Sequence, residues 1–174
     1  MPTTLTIRPA RPEEFEPLGR LTVAVYAALP GFPTPAQQPG YYEMLAGIGR
    51  FAERPGACLL VAHSAQGELA GGVVYFGDMA EYGAGGIAAS QRDAAGIRLL
   101  AVAPAHRGLG AGRALTQACI ERARAEGRSE VILHTTRAMQ RAWALYEAMG
   151  FLRSADLDFE QQSLPVYGFR MSLG

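Results

Sequence analysis

The sequence contains no lysine and no asparagine, so all 16 of its basic residues are arginine. Both missing residues have A-rich codons, and a GC-rich genome of bacterial type is the expected origin of the bias. The chemical consequence is that any task of an ammonium or an asparagine amide falls to another side chain. Cysteine is scarce too. Cys58 and Cys119 lie far apart on apolar segments, which points to two buried thiols rather than a disulfide and gives no metal-ligand spacing. No charge of one sign is in excess, since 16 acidic residues balance the 16 basic ones. That balance argues against general attraction to nucleic acid or an anionic membrane. No apolar run is long enough to span a bilayer. The leading Met-Pro-Thr-Thr-Leu-Thr-Ile-Arg lacks a basic stretch followed by an apolar one. The expectation is a cytoplasmic protein, monomeric or homodimeric, without nucleic-acid or membrane partners.

What is present fits one domain over residues 1–174, long enough to bury a substantial core. Thr3–Arg8 alternates as a first strand. Arg11-Pro12-Glu13-Glu14 then places proline and acids where a helix's first turn favours them, and the helix runs to about Ala28. Four prolines and two glycines make Leu29–Gly40 a loop. A second helix is expected over Tyr41–Glu53. Cys58–His63 and Leu69–Phe76 form a hairpin, and Asp78–Ala95 is a long, mobile, Gly-rich connection. A strand at Gly96–Val102, a helix at Gly110–Glu126, a strand at Glu130–Thr136 and a helix at Ala138–Met149 follow. Gly127 and Gly150 close the two helices. Two strands, Phe151–Glu160 and Pro165–Ser172, finish the chain. This order predicts an α/β protein of α+β type, in three layers. A mixed, mostly antiparallel sheet of about seven strands lies between four helices.

One segment carries a chemical signal. Gly108, Gly110 and Gly112 fall at the start of a helix, where each costs about 1 kcal/mol relative to alanine. The backbone there needs freedom or close approach. First-turn amides lack intrahelical acceptors, so the turn suits a pyrophosphate, with Arg107 and Arg113 beside it. A Walker loop is excluded, because Gly112 is followed by Arg113-Ala114. The dinucleotide fingerprint is excluded too, because Arg113 and Leu115 occupy the positions that need glycine.

Arg107-Gly108-Leu109-Gly110-Ala111-Gly112 resembles the Arg/Gln-x-x-Gly-x-Gly/Ala signature of the GNAT acetyltransferase superfamily, and Val102-x-Pro104 resembles its lead-in. A second segment, Ala142-Trp143-Ala144-Leu145-Tyr146-Glu147-Ala148-Met149-Gly150-Phe151, resembles the family's Ala-x-x-Leu-Tyr-Glu-x-x-Gly-Phe. The element order matches across nearly the whole chain. The resemblance implies splayed fourth and fifth strands, with acetyl-CoA as cofactor and acyl donor in the gap. By similarity, Leu100, Ala101 and Val102 pair with the pantetheine. The Val102 amide polarises the thioester carbonyl, and Arg107 to Arg113, with Leu109 and Ala111, hold the pyrophosphate. Tyr146 matches the tyrosine that often protonates the leaving thiolate; the alternative is that it only packs.

The implied activity is acetyl transfer to a primary amine of a small molecule or peptide, by direct attack. A non-catalytic acyl-CoA-binding or regulatory module on the same fold is the alternative. The sequence departs from the family in two places. Met139 stands where relatives often carry a CoA-contacting asparagine, with Gln140, Thr135 or Thr136 as substitutes. The fourth strand has no glutamate to serve as base, leaving Asp78, Glu81 and His134 as candidates. His63 and His106 read as surface residues. Phe32, Tyr41 and Tyr42 are candidates to line the acceptor side, and no metal is implied.

Overall fold

The computed structural model describes residues 4–174, so Thr3, expected to open the first strand, lies outside the described residues. The elements are β1 (Thr6–Pro9), α1 (Phe15–Ala27), α2 (Pro39–Ala46), β2 (Ala57–His63), β3 (Leu69–Phe76), β4 (Ala94–Val102), α3 (Ala111–Ala125), β5 (Glu130–Thr135), α4 (Gln140–Met149), β6 (Leu152–Arg153), β7 (Phe159–Gln161) and β8 (Leu164–Ser172). The sheet runs β1-β2-β3-β4-β5-β8-β6, and β7 pairs with β8. Among the described residues only β4 and β5 pair in parallel, and the other pairs are antiparallel.

Period-2 alternation divides the core into two layers. Leu59, Val61, Val74 and Phe76 face the α1–α2 side, where they meet Leu18, Leu45 and Phe51. Leu60, Ala62, Val73 and Tyr75 face the other side with Leu115, Cys119, Ile120 and Phe151. Both cysteines are free, and burial pushes both thiols up.

Three expected segments take a different form. The second helix stops at Gly47, and a 3-10 turn continues it over Ile48–Glu53. The expected strand Phe151–Glu160 breaks into β6 and β7 around a turn at Ala155–Leu157, which buries Leu157. Gly168 of β8 makes room for that turn, since a Cβ there would collide with the Leu157 side chain. The Asp78–Ala95 connection is packed. It forms two short turns, buries Met79, Tyr82 and Ala88, and leads directly into β4 at Ala94.

The middle of β4 is irregular. Leu99 sits at φ 60°, a left-handed value for a branched, buried residue. The β3–β4 register shifts at the same point, between the pairs Gly72↔Ala101 and Val74↔Arg98. This is a β-bulge: it turns Arg98 and Leu99, although consecutive, toward the same side of the sheet. Parallel pairing with β5 ends just before it, at Ile97↔Leu133. From there β4 runs on to Val102 and β5 to Thr135 without touching, so the two strands are splayed.

Near the N-terminus, the Glu14 carboxylate ties three elements together. It accepts bonds from Arg8 Nη1 and Nη2 at 2.7 and 2.9 Å and from the Arg11 amide at 2.8 Å. His63 Nε2 of β2 lies 2.8 Å away. His63 is therefore an enclosed acid-paired residue, not the surface residue expected. The Arg8 guanidinium holds the Glu14 carboxyl down to about 2, against an ordinary 4.5. The unfolded chain binds this proton more readily, so the stabilisation is complete above about pH 4.5 and is lost as pH falls toward 2. Glu14→Gln is expected to lower stability at neutral pH and flatten the acid limb between those values. Urea unfolding across a pH series checks this, and an unchanged limb would refute it.

Candidate active site

The strand β4 leads through a 3-10 turn at Pro104–His106 into α3. Gly108 and Gly110 have φ of 85° and 83°, which side-chain-bearing residues rarely adopt, and nothing lies within 4 Å of where their Cβ atoms would be. Gly110 is the N-cap of α3, and the first helical bond at that end runs from the Ala114 amide to the Gly110 carbonyl at 2.9 Å. The amides from Gly108 through Arg113 have no acceptor among the described residues. Gly112 has another reason to be small: a Cβ there would stand 3.2 Å from Leu145 of α4. The result is a set of free N–H groups at the positive end of a helix dipole.

These residues wall a groove of about 400 Å³ whose other side is α4 and the C-terminal end of α1. Leu100, Ala101, Val102, Arg107 and Arg113 line it, as do Gly108, Gly110, Ala111 and Gly112. Leu109 contributes to the turn without lining the groove. Beyond the bulge, Ala103 donates its amide to Ala70 of β3 at 2.8 Å. Alternation along the strand then turns the Leu100 and Val102 backbone groups toward the gap. The Leu100 carbonyl is already engaged there, accepting from the Tyr26 hydroxyl at 3.1 Å.

A second cavity, of about 330 Å³, opens on the α1–α2 side of the splay. Phe32 and Tyr41 line it, whereas Tyr42 donates to the Pro33 carbonyl at 2.7 Å and is not part of its wall. Leu99 lines this cavity and Leu100 the groove, while Tyr26 and Met139 belong to both walls. Two spaces therefore meet at one point of the split sheet.

The other expected residues are sorted by the same geometry. Tyr146 lines neither space. It is 4% exposed, with its ring edge-on to Phe151 at 5.8 Å, and its hydroxyl makes no hydrogen bond among the described residues. Burial raises its pKa well above 10, and Tyr82 on the other side of the sheet adds to the rise. Asp78 caps its own turn by accepting from the Ala80 amide, and neither it nor Glu81 lines the cavity. His106 is largely enclosed and lies 3.5 Å from Glu68, again unlike the surface residue expected. Of the three substitutes for the missing asparagine, Gln140 turns back to the Arg137 carbonyl and Thr135 contacts Met139 sulfur at 3.5 Å. The Thr136 hydroxyl is buried without a partner among the described residues.

His134 does line the cavity. Its Nε2 lies 2.8 Å from the Leu157 carbonyl, which can only accept, so Nε2 carries the hydrogen. Nδ1 is left as the acceptor, 2.8 Å from the Tyr82 hydroxyl. Burial lowers the His134 pKa below the ordinary 6.5, Arg98 lowers it further, and Asp158 opposes the change. Three cavity and groove residues had no distinguishing signal in the sequence. Tyr26, Tyr82 and Arg98 come together only through folding. Arg141, a third arginine on the groove beside Arg107 and Arg113, immediately precedes Ala142, the first residue of the second motif, and that position was its one sequence signal.

Residues 23–151 match the acetyltransferase (GNAT) family. The fold is similar to that of a GNAT-family acetyltransferase from Staphylococcus aureus, with a TM-score of 0.75 at 15% identity, over 98% of this chain and 100% of that one. It is also similar to a candidate acetyltransferase from Salmonella typhimurium solved with its cofactor acetyl-CoA. That TM-score is 0.66 at 18% identity, over 98% of this chain and 95% of the other. At such identities the likeness is one of fold. A stretch of 66 residues is 38% identical to N-acetyltransferase family 8 member 3 of Rattus norvegicus, covering 38% of this chain and 29% of that protein. The chain spans less than a third of the length of the curated relatives it matches. Family match, splayed sheet and Gly-rich helix start agree: the chain belongs to the GNAT acetyltransferase family.

Proposed function

We propose that the protein transfers an acetyl group from acetyl-CoA to a primary amine of a small molecule or peptide, by direct attack and without a covalent enzyme intermediate. One observation carries this reading: the groove and the cavity meet at the Leu99–Leu100 bulge, with Tyr26 and Met139 in both walls. A donor in one space and an acceptor in the other would be brought together there, which is the main requirement for a two-substrate transfer.

The residues of the groove suit the donor. Unpaired amides from Gly108 to Arg113 supply hydrogen bonds for a pyrophosphate, and Arg107, Arg113 and Arg141 supply its counter-charge. The free edge of β4 from Leu100 to Val102 offers a ladder to an extended amide chain. Acetyl-CoA, when bound, supplies the acetyl group as an activated thioester. The Val102 N–H faces the gap and is the donor available to a developing oxyanion. Tyr146 keeps its proton throughout the neutral range, because burial holds its pKa up, and so has one to give a departing thiolate. On the acceptor side, Tyr82 and His134 form the proton route. The tautomer set by the Leu157 carbonyl leaves Nδ1 free to receive a proton through the Tyr82 hydroxyl.

Three outcomes follow. Calorimetric titration with CoA is expected to show saturable binding. Gly110→Ala, forced into a left-handed conformation at about 1–2 kcal/mol, should weaken it roughly tenfold. No binding at ~1 mM CoA, an affinity of only about 4 kcal/mol, contradicts the reading. Tyr146→Phe is expected to lower kcat at least ~10-fold with little change in donor KM, as read by thiol release over an amine panel. His134 is a base only when neutral, and its pKa is depressed, so the acid limb of kcat should lie below pH 6.5. His134→Gln should lower kcat and remove that limb; a limb of the same shape in the variant would exclude His134 from the proton route.

A further inference from the structure

The acceptor cavity contains a cation that the transfer chemistry leaves unused. Arg98 projects into it from β4, because the bulge at Leu99 sets Arg98 and Leu99 on the same side of the sheet. Among the described residues Arg98 forms no ion pair. Its Nη1 donates to the Tyr82 carbonyl at 2.9 Å, and its Nη2 has only the Met44 thioether at 3.9 Å. A guanidinium carries five N–H donors, so most of those on Arg98, which lines the cavity, are without a hydrogen-bond partner among the described residues.

A second guanidinium stands beside it. A Cβ built on Gly83 would lie 3.2 Å from Arg54 Nη1 and 3.3 Å from Arg98 Nη1. Arg54 is held by the Glu81 carbonyl at 2.9 Å, and it too forms no ion pair among the described residues. Arg54 lies behind the cavity wall that Arg98 lines, and neither charge is neutralised by an ion pair among the described residues, so both attract an anion placed against Arg98. The positive field of Arg98 reaches Tyr26, Tyr41, Tyr82 and His134, all on the cavity wall. The cavity's one acid, Glu160, is exposed on β7.

The rest of the wall defines what accompanies the anion. Phe32, Tyr41 and Phe159 offer aromatic faces. Gln38 is only 8% exposed, and its side-chain amide makes no hydrogen bond among the described residues. A cavity of about 330 Å³ is at the small end of ligand sites.

From this arrangement we infer that the acceptor is an amino carboxylic acid with an apolar body, its carboxylate held by Arg98 and its amine turned toward the Leu99–Leu100 junction. Arginine suits the task because its planar fork meets a carboxylate through two parallel bonds. The inference deepens the proposed transfer to an amine and rests on that reading for its direction of attack.

The test separates the two. Calorimetry in the presence of CoA would compare L-phenylalanine and L-leucine with their carboxamides and with phenethylamine, and thiol release from acetyl-CoA would follow the same compounds. The acids are expected to bind, and to show kcat/KM, roughly 10- to 100-fold above their carboxamides, the range of a charge-assisted bond. Arg98→Gln should collapse that ratio toward one through KM, and Arg98→Lys should restore part of it. Thermal unfolding of each variant confirms that it is folded. Acid binding that depends on Arg98 without any thiol release would uphold the inference and overturn the transferase reading. Thiol release with carboxamides and phenethylamine equal to or better than the acids would uphold the transferase and overturn the inference. No preference for the acids in either binding or turnover also overturns it.

Discussion

The site depends on one strained residue in the middle of a strand. A regular β4 would continue its parallel ladder with β5, closing the sheet and leaving no space between the two strands. Leu99 at φ 60° prevents this. Such a conformation costs a branched residue on the order of 1–3 kcal/mol, and it persists only where packing over-determines it. The packing is visible: Leu99 is 7% exposed, in the core layer formed with α1 and α2. What this cost secures is a sheet paired up to Ile97↔Leu133 and open beyond it. The opening frees the backbone edge from Leu100 to Val102. The same bulge turns Arg98 to the cavity wall beside Leu99, so the open edge along the groove and the positive charge of the cavity have a common cause.

Around that opening the elements divide the work. The α3 start brings unpaired amides and arginines to one side, and the two left-handed glycines make the approach possible. The α1 terminus crosses the opening with Tyr26, whose hydroxyl bonds to the Leu100 carbonyl and fixes the edge from the opposite direction. The packed connection before β4 brings Tyr82 against His134. The broken strand between α4 and β8 supplies Leu157, whose carbonyl sets the histidine tautomer. Segments that look irregular along the sequence thus converge on the cavity, while the regular α3 and α4 bound the groove.

This division explains what could be read from sequence. The order of elements along the chain, the mixed sheet and four helices were legible because period-2 and period-3.6 patterns and the closing glycines report local geometry. Gly108, Gly110 and Gly112 were legible because three glycines at a helix start violate helix propensity without a local reason. The bulge was not legible, since Gly96–Val102 is a continuous apolar run apart from Arg98, and a leucine gives no warning of positive φ. The packed turns of Asp78–Ala95 were hidden by glycine and polar residues that usually mark open loops; Tyr82 is held by Gly96, where a Cβ would meet its ring at 2.5 Å. Phe151–Glu160 looked like one strand because Leu157 continues its apolar pattern, yet Leu157 is buried by a turn. Tyr26 and Arg98 acquire their roles from partners distant in sequence, and no local pattern encodes those contacts.

The central claim is that the opened edge of β4 and the start of α3 form one binding surface for acetyl-CoA. Hydrogen–deuterium exchange tests it at the backbone itself. With saturating CoA, the amides of Leu100 and Val102 and those from Gly108 to Arg113 should slow together, while those of β1 and β2 keep their rates. Protection confined to the helix start would leave the strand edge without its role. Unchanged exchange at both would contradict the account.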